Sequence, residues 1–237
     1  MVATDEIGAV AEGFNRMLGG LREREQMRDT FGRYVTREIR DEILAGRASV
    51  EGQVEDVTIL FADLRDFTPW VERTEPSAVV GDLNEYFTEM EAAIRSHRGL
   101  VLQYIGDEIE AVFGAPLRTA DHADRALAAA LEMRERLARL IARRVETGRP
   151  PLRHGIGIHT GTVLAGNIGS AERLTYALVG DPVNLASRIQ ALTKEAGTDI
   201  LLSEATRNRL AGRVGLEALP AVRVKGKSVE VGVYRAA

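Results

Sequence analysis

The chain has no cysteine in its 237 residues. That absence excludes a disulfide scaffold, a cysteine-ligated zinc site and a thiol nucleophile, and it leaves the redox compartment open. No run of residues approaches the ~18 apolar positions of a membrane span, and there is no signal-peptide pattern. There is no low-complexity segment and no evident repeat. Nor is there an excess of positive charge: a net charge of -4 argues against a general nucleic-acid binder. Several short motifs are incomplete. Gly226-Lys227-Ser228 ends like a phosphate-binding loop, but the position that needs the first glycine holds Ala221. Gly155-Ile156-Gly157 lacks the third glycine of a dinucleotide fingerprint. His97, His122, His154 and His159 share no metal-ligand spacing and read as surface or capping residues, and a Ser-His-Asp arrangement has no local support. What remains, 45% apolar and 28% charged, is the composition of an ordinary soluble globular protein with room for one large domain, or a domain and an appendage.

The most informative stretch is Phe61-Ala62-Asp63-Leu64-Arg65-Asp66-Phe67-Thr68. The β-branched apolar run before it, Glu55 to Leu60, reads as a buried strand, so Asp63 falls where a core strand runs out. A second carboxylate, Asp107, follows Gly106 between two short apolar runs, and Gly106-Asp107 is a hairpin signal. A hairpin would carry Asp107 to the same sheet as Asp63. Two carboxylates on neighbouring strands repel unless a cation lies between them, and few hard oxygen ligands suit magnesium completed by water and phosphate oxygens. A turn aspartate beside a strand-end cap explains the same two stretches equally well.

The flanking sequence divides into an appendage and a main domain. Ile7, Val10, Phe14, Met17 and Leu21 step alternately by three and four, the seam of a parallel coiled-coil stalk, or of a lone amphipathic helix packed on its own domain. Ile39, Ile43 and Leu44 form a further short amphipathic stretch, and residues 46–52 read as a linker. The main domain alternates strand and helix. A helix is expected over 76–96, with Val79, Val80, Leu83, Phe87, Met90 and Ile94 inward and Gly99 at its stop. A second is expected over 121–145 and a third over 184–196. Strands are expected over 154–160, 163–165, 200–202, 222–224 and 229–234. The resulting α+β order, β-α-β-β-α-β, is the ferredoxin-like split unit with extra strands at its end.

With FADLRDFT, YIGDEIEAVFGAP, HTGTVLAGNIG, YALVGDPVNLASR and VKGK in this order, the chain resembles the class III adenylate and guanylate (nucleotidyl) cyclases over residues 51–237. Residues 1–25, with Asp5-Glu6-Ile7-Gly8, resemble the second helix of a HAMP domain, and residues 26–50, with Phe31-Gly32-Arg33-Tyr34-Val35, a cyclase transducer element. The resemblance implies a membrane-anchored parent whose cytoplasmic part this chain represents. It further implies that Asp63, Asp107 and the Leu64 carbonyl hold two Mg2+ or Mn2+ ions. Backbone N–H groups from Leu64, Arg65, Asp66, Phe67 and Thr68 would meet the triphosphate at a helix start. Asn184 matches the residue that orients the ribose, Arg188 the transition-state arginine and Lys225 a triphosphate-binding lysine. In that family the metal pair comes from one subunit and the Asn/Arg pair from the other, so a homodimer of this chain would carry two equivalent sites. Gln103 and Ala177 occupy the base-reading positions and depart from both the adenine-selective and the guanine-selective pattern. The expected reaction is ATP to 3′,5′-cyclic AMP and pyrophosphate. A GTP or mixed specificity, and a catalytically silent dimerising module, stand as alternatives.

Overall fold

The computed structural model describes residues 52–170, 174–212, 215–222 and 230–236. The coiled-coil, HAMP and transducer readings and Lys225 lie outside the described residues.

The first strand, β1 (Gln53–Leu64), is buried along most of its length. It is followed by a short helix α1 (Phe67–Val71), helix α2 (Pro76–Ser96), the hairpin β2 (Leu100–Ile105) and β3 (Glu108–Phe113), helix α3 (His122–Glu146), and β4 (His154–Gly169). Beyond it come β5 (Leu174–Val179), α4 (Asp181–Glu195), β6 (Ile200–Ser203), α5 (Glu204–Arg207), β7 (Leu216–Val222) and β8 (Val231–Ala236). The strands form one eight-stranded sheet in the order β2-β3-β1-β4-β6-β8-β7, with β5 paired to β4. Its first four members follow the expected ferredoxin-like unit, antiparallel throughout.

Alternation along β1 assigns its two faces. Leu60, Ala62 and Leu64 join the larger apolar cluster with α2 and α3, through residues such as Tyr86, Met90, Leu127 and Met133. On the opposite face α4 lies against β4. Its approach is close because β4 offers glycine there: a Cβ on Gly157 would collide with the backbone of Gln190, and one on Gly155 with Thr193. A glycine pair that fails as a nucleotide fingerprint is therefore a seat for a helix.

Several expected elements differ in detail. The separate strands at 154–160 and 163–165 are one strand of 16 residues, because Gly161 stays in the ladder opposite Val57 and lies under Pro182 rather than turning. The outer half of β4 pairs with β5, a strand the periodicity did not separate from its motif. Helix α4 begins at Asp181, ahead of the expected start, with Pro182 in its first turn, where a missing N–H costs nothing. Of the strand expected at 222–224 only Val222 is among the described residues, at the end of a strand over Leu216–Val222, and of that expected at 229–234 the described strand is Val231–Ala236, which continues past 234. At the end of α2 the left-handed residue is Arg98, not Gly99; Gly99 is required because a Cβ there would strike the Phe113 ring. The buried face of α2 includes Asp82 and Tyr86, while Val80 is exposed. Three of the four histidines, His122, His154 and His159, are buried rather than on the surface, each with a hydroxyl partner. A small polar residue can supply that partner from a distant strand or helix, which no local spacing reveals.

Candidate active site

Strand β1 pairs with β3 from Thr58 to Ala62, so the β2–β3 hairpin lies directly beside the end of β1. Gly106 turns that hairpin with φ 65°, a conformation that suits a residue without Cβ. The turn delivers Asp107 to Asp63. The two carboxylates are within hydrogen-bonding reach of each other, and Asp63 is pushed up to about 7. Burial is the main cause; the hydrogen bond with Asp107 and the charges of Asp107 and Glu108 add to it, and the Leu64 N–H opposes it. No cation is among these main influences. A proton shared between the carboxylates is the state such a pair adopts without a cation. Among the described residues there is no cluster of three or more His, Cys, Asp or Glu side chains that could hold a metal. A site of two carboxylates and a strand-end carbonyl fits an ion that takes its other ligands from water or phosphate.

Beneath this pair lies Tyr86, fully buried, its hydroxyl held above its ordinary range by burial first and then by the charges of Asp63 and Asp107. Its partner is His154 Nδ1 at 3.1 Å. Sequence reasoning missed Tyr86. Its i+4 spacing to Asp82 and Met90 on one helix face was the available signal.

The loop after Asp63 starts helix α1. Asp66, at its N-cap, has φ 57° and is exposed, with Arg153 at 3.0 Å and Lys194 at 3.3 Å. The Arg65 N–H is occupied by Arg153 O at 2.8 Å, and its guanidinium turns away to the carbonyls of Thr193 and Thr198. With the Arg65 N–H taken, the N–H groups left to meet an anion run from Asp66 into the first turn at Phe67 and Thr68.

The remaining predicted residues are elsewhere on the surface. Asn184 and Arg188 stand one turn apart on α4, Asn184 exposed and Arg188 half-buried, and among the described residues neither has a side-chain partner. Gln103 is exposed on β2, where its Nε2 donates to Glu110 Oε2 at 2.6 Å. Glu110 is buried in β3 and its pKa is raised by that burial. Ala177 is on β5, opposite Gly166. Across the sheet β3, β1 and β4 intervene between them, and along β4 Gln103 is level with Gly157 while Ala177 faces Gly166, so a single chain keeps the two on the order of 30 Å apart or more. One chain therefore assembles the carboxylate pair and its loop, and does not bring together the two base-reading positions.

Exposed apolar side chains mark the β4–β5 extension. Val54, Leu164 and Val179 are cross-strand neighbours in register and are 68%, 41% and 52% exposed. Tyr104 and Ile105 are similarly uncovered near the hairpin tip.

Residues 50–234 match the family model described as the adenylate and guanylate cyclase catalytic domain. An uncharacterized protein of Mycobacterium tuberculosis is 40% identical over 201 residues, covering 85% of this chain and 34% of that protein. Adenylate cyclase 1 of Rhizobium meliloti is 35% identical over 210 residues, 86% of this chain and 31% of that protein. The chain thus spans about a third of the length of these curated relatives. Among solved structures, the guanylyl cyclase Cya2 is 38% identical with a TM-score of 0.72, covering 78% of this chain and 93% of that one. The adenylyl cyclase CyaB from P. aeruginosa is 29% identical with the same TM-score of 0.72, over 78% of this chain and 95% of that one.

Proposed function

We infer the activity of this chain from the family to which it belongs, the adenylate and guanylate cyclase catalytic domains: it converts ATP to 3′,5′-cyclic AMP and pyrophosphate in a homodimer with shared sites. The observation that carries this reading is the contact between Asp63 and Asp107, a like-charged pair with no compensating cation among the described residues' main influences on it. Asp63, Asp107 and the Leu64 carbonyl would hold two Mg2+ or Mn2+ ions. When bound, such ions supply charge neutralisation on phosphate oxygens and a more acidic ribose hydroxyl. The first-turn N–H groups of α1 would bind the triphosphate, with Lys225 as a further candidate outside the described residues. Asn184 would orient the ribose and Arg188 would stabilise charge developing on the α-phosphoryl group.

Two features support placing each site between chains. Arg188 is not among the main influences on Asp63, so within one chain it does not neutralise the carboxylate pair. The exposed row Val54, Leu164 and Val179 offers an apolar surface for a second copy. Glu110 fixes the Gln103 amide by taking one Nε2 hydrogen, which leaves the Oε1 acceptor and a second N–H, a pair that could meet either purine edge. The adenine reading takes its support from the 35% identity to adenylate cyclase 1 of Rhizobium meliloti. A guanine reading retains support from the 38% identity to the guanylyl cyclase Cya2.

The test is pyrophosphate release by the purified chain with manganese and either ATP or GTP. Release from ATP in preference to GTP is expected. Release from GTP alone would overturn the adenine reading, and release from neither would leave a silent signalling module.

A further inference from the structure

Away from the carboxylate pair, an open cleft of about 480 Å³ lies between α3, the end of β1 and the turn from α4 into β6. Its volume is in the range of small-molecule sites. Leu137, Ile141 and Leu152 give it an apolar wall, and three guanidinium groups line it, Arg65, Arg134 and Arg153, against one carboxylate, Asp199. Arg134 holds Asp199 through two hydrogen bonds of 2.7 and 3.0 Å. Arg153 is paired with Asp66. Arg65 has carbonyl partners and, among the described residues, no carboxylate.

Among the described residues, two donors of this lining have no acceptor. The Arg65 Nε–H is buried without a partner, and so is His154 Nε2, on a side chain only 3% exposed. The tautomer of His154 follows from its other nitrogen. Among the described residues the Tyr86 O–H has no other acceptor, so it donates to Nδ1 and the ring proton sits on Nε2. Buried donors without acceptors are costly, and native folds leave few of them.

We propose that this cleft is a binding site for an organic monocarboxylate, whose oxygens accept from the Arg65 and His154 donors while its hydrocarbon body covers Leu137, Ile141 and Leu152. The donors ask for an acceptor, the guanidinium excess asks for negative charge, and the aliphatic wall asks for more than a bare anion. The site is built into the back of the substrate loop. His154 is paired with Leu64 in the ladder, and Arg153 accepts from the Arg65 N–H, so an occupant touches residues adjoining Asp63.

The test is calorimetric titration of the full chain with octanoate, acetate, octylamine and inorganic phosphate. Octanoate should saturate one site per chain. Shorter homologues should weaken by about threefold to fourfold for each methylene removed while the chain still lies in the cleft. Octylamine and phosphate should not displace octanoate. Ala138 is exposed on the cleft's edge, so Ala138→Trp should fill it without disturbing the core and weaken octanoate at least about tenfold. Arg153→Glu, at the rim, should weaken it as well. Failure of octanoate to saturate, equal displacement by phosphate, or wild-type octanoate binding by Ala138→Trp would each overturn the proposal. The readout is binding alone, so any of these results leaves the cyclase reading standing.

Discussion

Two pairs of charged side chains sit in the same domain under opposite rules. Between α2 and α3, Arg144 is fully buried and holds Asp82 through two bonds of 2.6 and 2.8 Å, while Arg149 adds a third at 3.1 Å and Arg144 Nε donates to Pro150 O. Every charge there has a partner, and Asp82 is held below the ordinary carboxylate range by the Arg144 hydrogen bond. At the end of β1, Asp63 meets Asp107 and Glu108, all acidic, and is raised to about 7. The first arrangement holds helices together. The second works against the fold unless something positive arrives. A compensated charge marks architecture and an uncompensated one marks a site.

The sharpest way to break this contrast is to remove the uncompensated pair. Asp63→Ala or Asp107→Ala should abolish turnover yet leave the fold intact, since among the described residues neither has a cationic partner to strand. Pyrophosphate release with ATP and manganese, read beside circular dichroism, checks both halves.

The next effect in size is the loss of Arg188, expected to cost on the order of 10²–10³ in rate as for a single transition-state donor. If sites are shared, Asp63→Ala and Arg188→Ala chains should complement each other. With free exchange half of all dimers are mixed, and each has one intact site of two. Pyrophosphate release from an equimolar co-refolded mixture should therefore recover about a quarter of wild-type activity. Dimers without recovery would place both half-sites in one chain.

The compensated pair should fail differently. Asp82→Ala leaves the buried Arg144 with only Pro150 O and the Glu85 carboxylate at 3.8 Å, a change expected to lower stability by about 3 kcal/mol. Urea unfolding would show the loss, while kcat per folded chain should hardly change.

A smaller shift concerns the base. Gln103→Lys with Ala177→Asp should raise the ATP/GTP ratio of kcat/KM by roughly tenfold, because a site built to hydrogen-bond one substrate edge rejects the other. An unchanged ratio would mean that these positions do not read the purine.

Much of this contrast was legible in the sequence, and what was not has physical reasons. Asp63 and Asp107 were visible because each interrupts an apolar run at a strand end, and Gly106 announced the hairpin that joins them. The boundaries of α2 were legible because Pro76 and the glycine after its last turn punctuate it. Asp82 was not, since a buried aspartate on a helix looks like a solvated one until Arg144, 62 residues away, is placed against it. Nor were Tyr86, Glu110 or His154, whose roles depend on neighbours that only the sheet order supplies. The continuity of β4 was hidden because glycine usually marks a turn, whereas Gly155, Gly157 and Gly161 admit α4 and Pro182.

Asp63 and Asp107 would together hold a cation, and titration with Mn2+ followed by electron paramagnetic resonance reads that binding without recourse to turnover. Without a cation, Asp63 takes up a proton on folding wherever the pH lies between its unfolded value of 3.8 and about 7, so its contribution to stability falls as pH rises through that window. A metal ion must displace that proton. Mn2+ affinity should therefore weaken about tenfold from pH 8 to pH 6. Asp63→Asn should lose both the binding and its pH dependence, and Asp82→Asn neither. Equal Mn2+ affinity in wild type and Asp63→Asn at pH 8 would rule out a cation site at this pair.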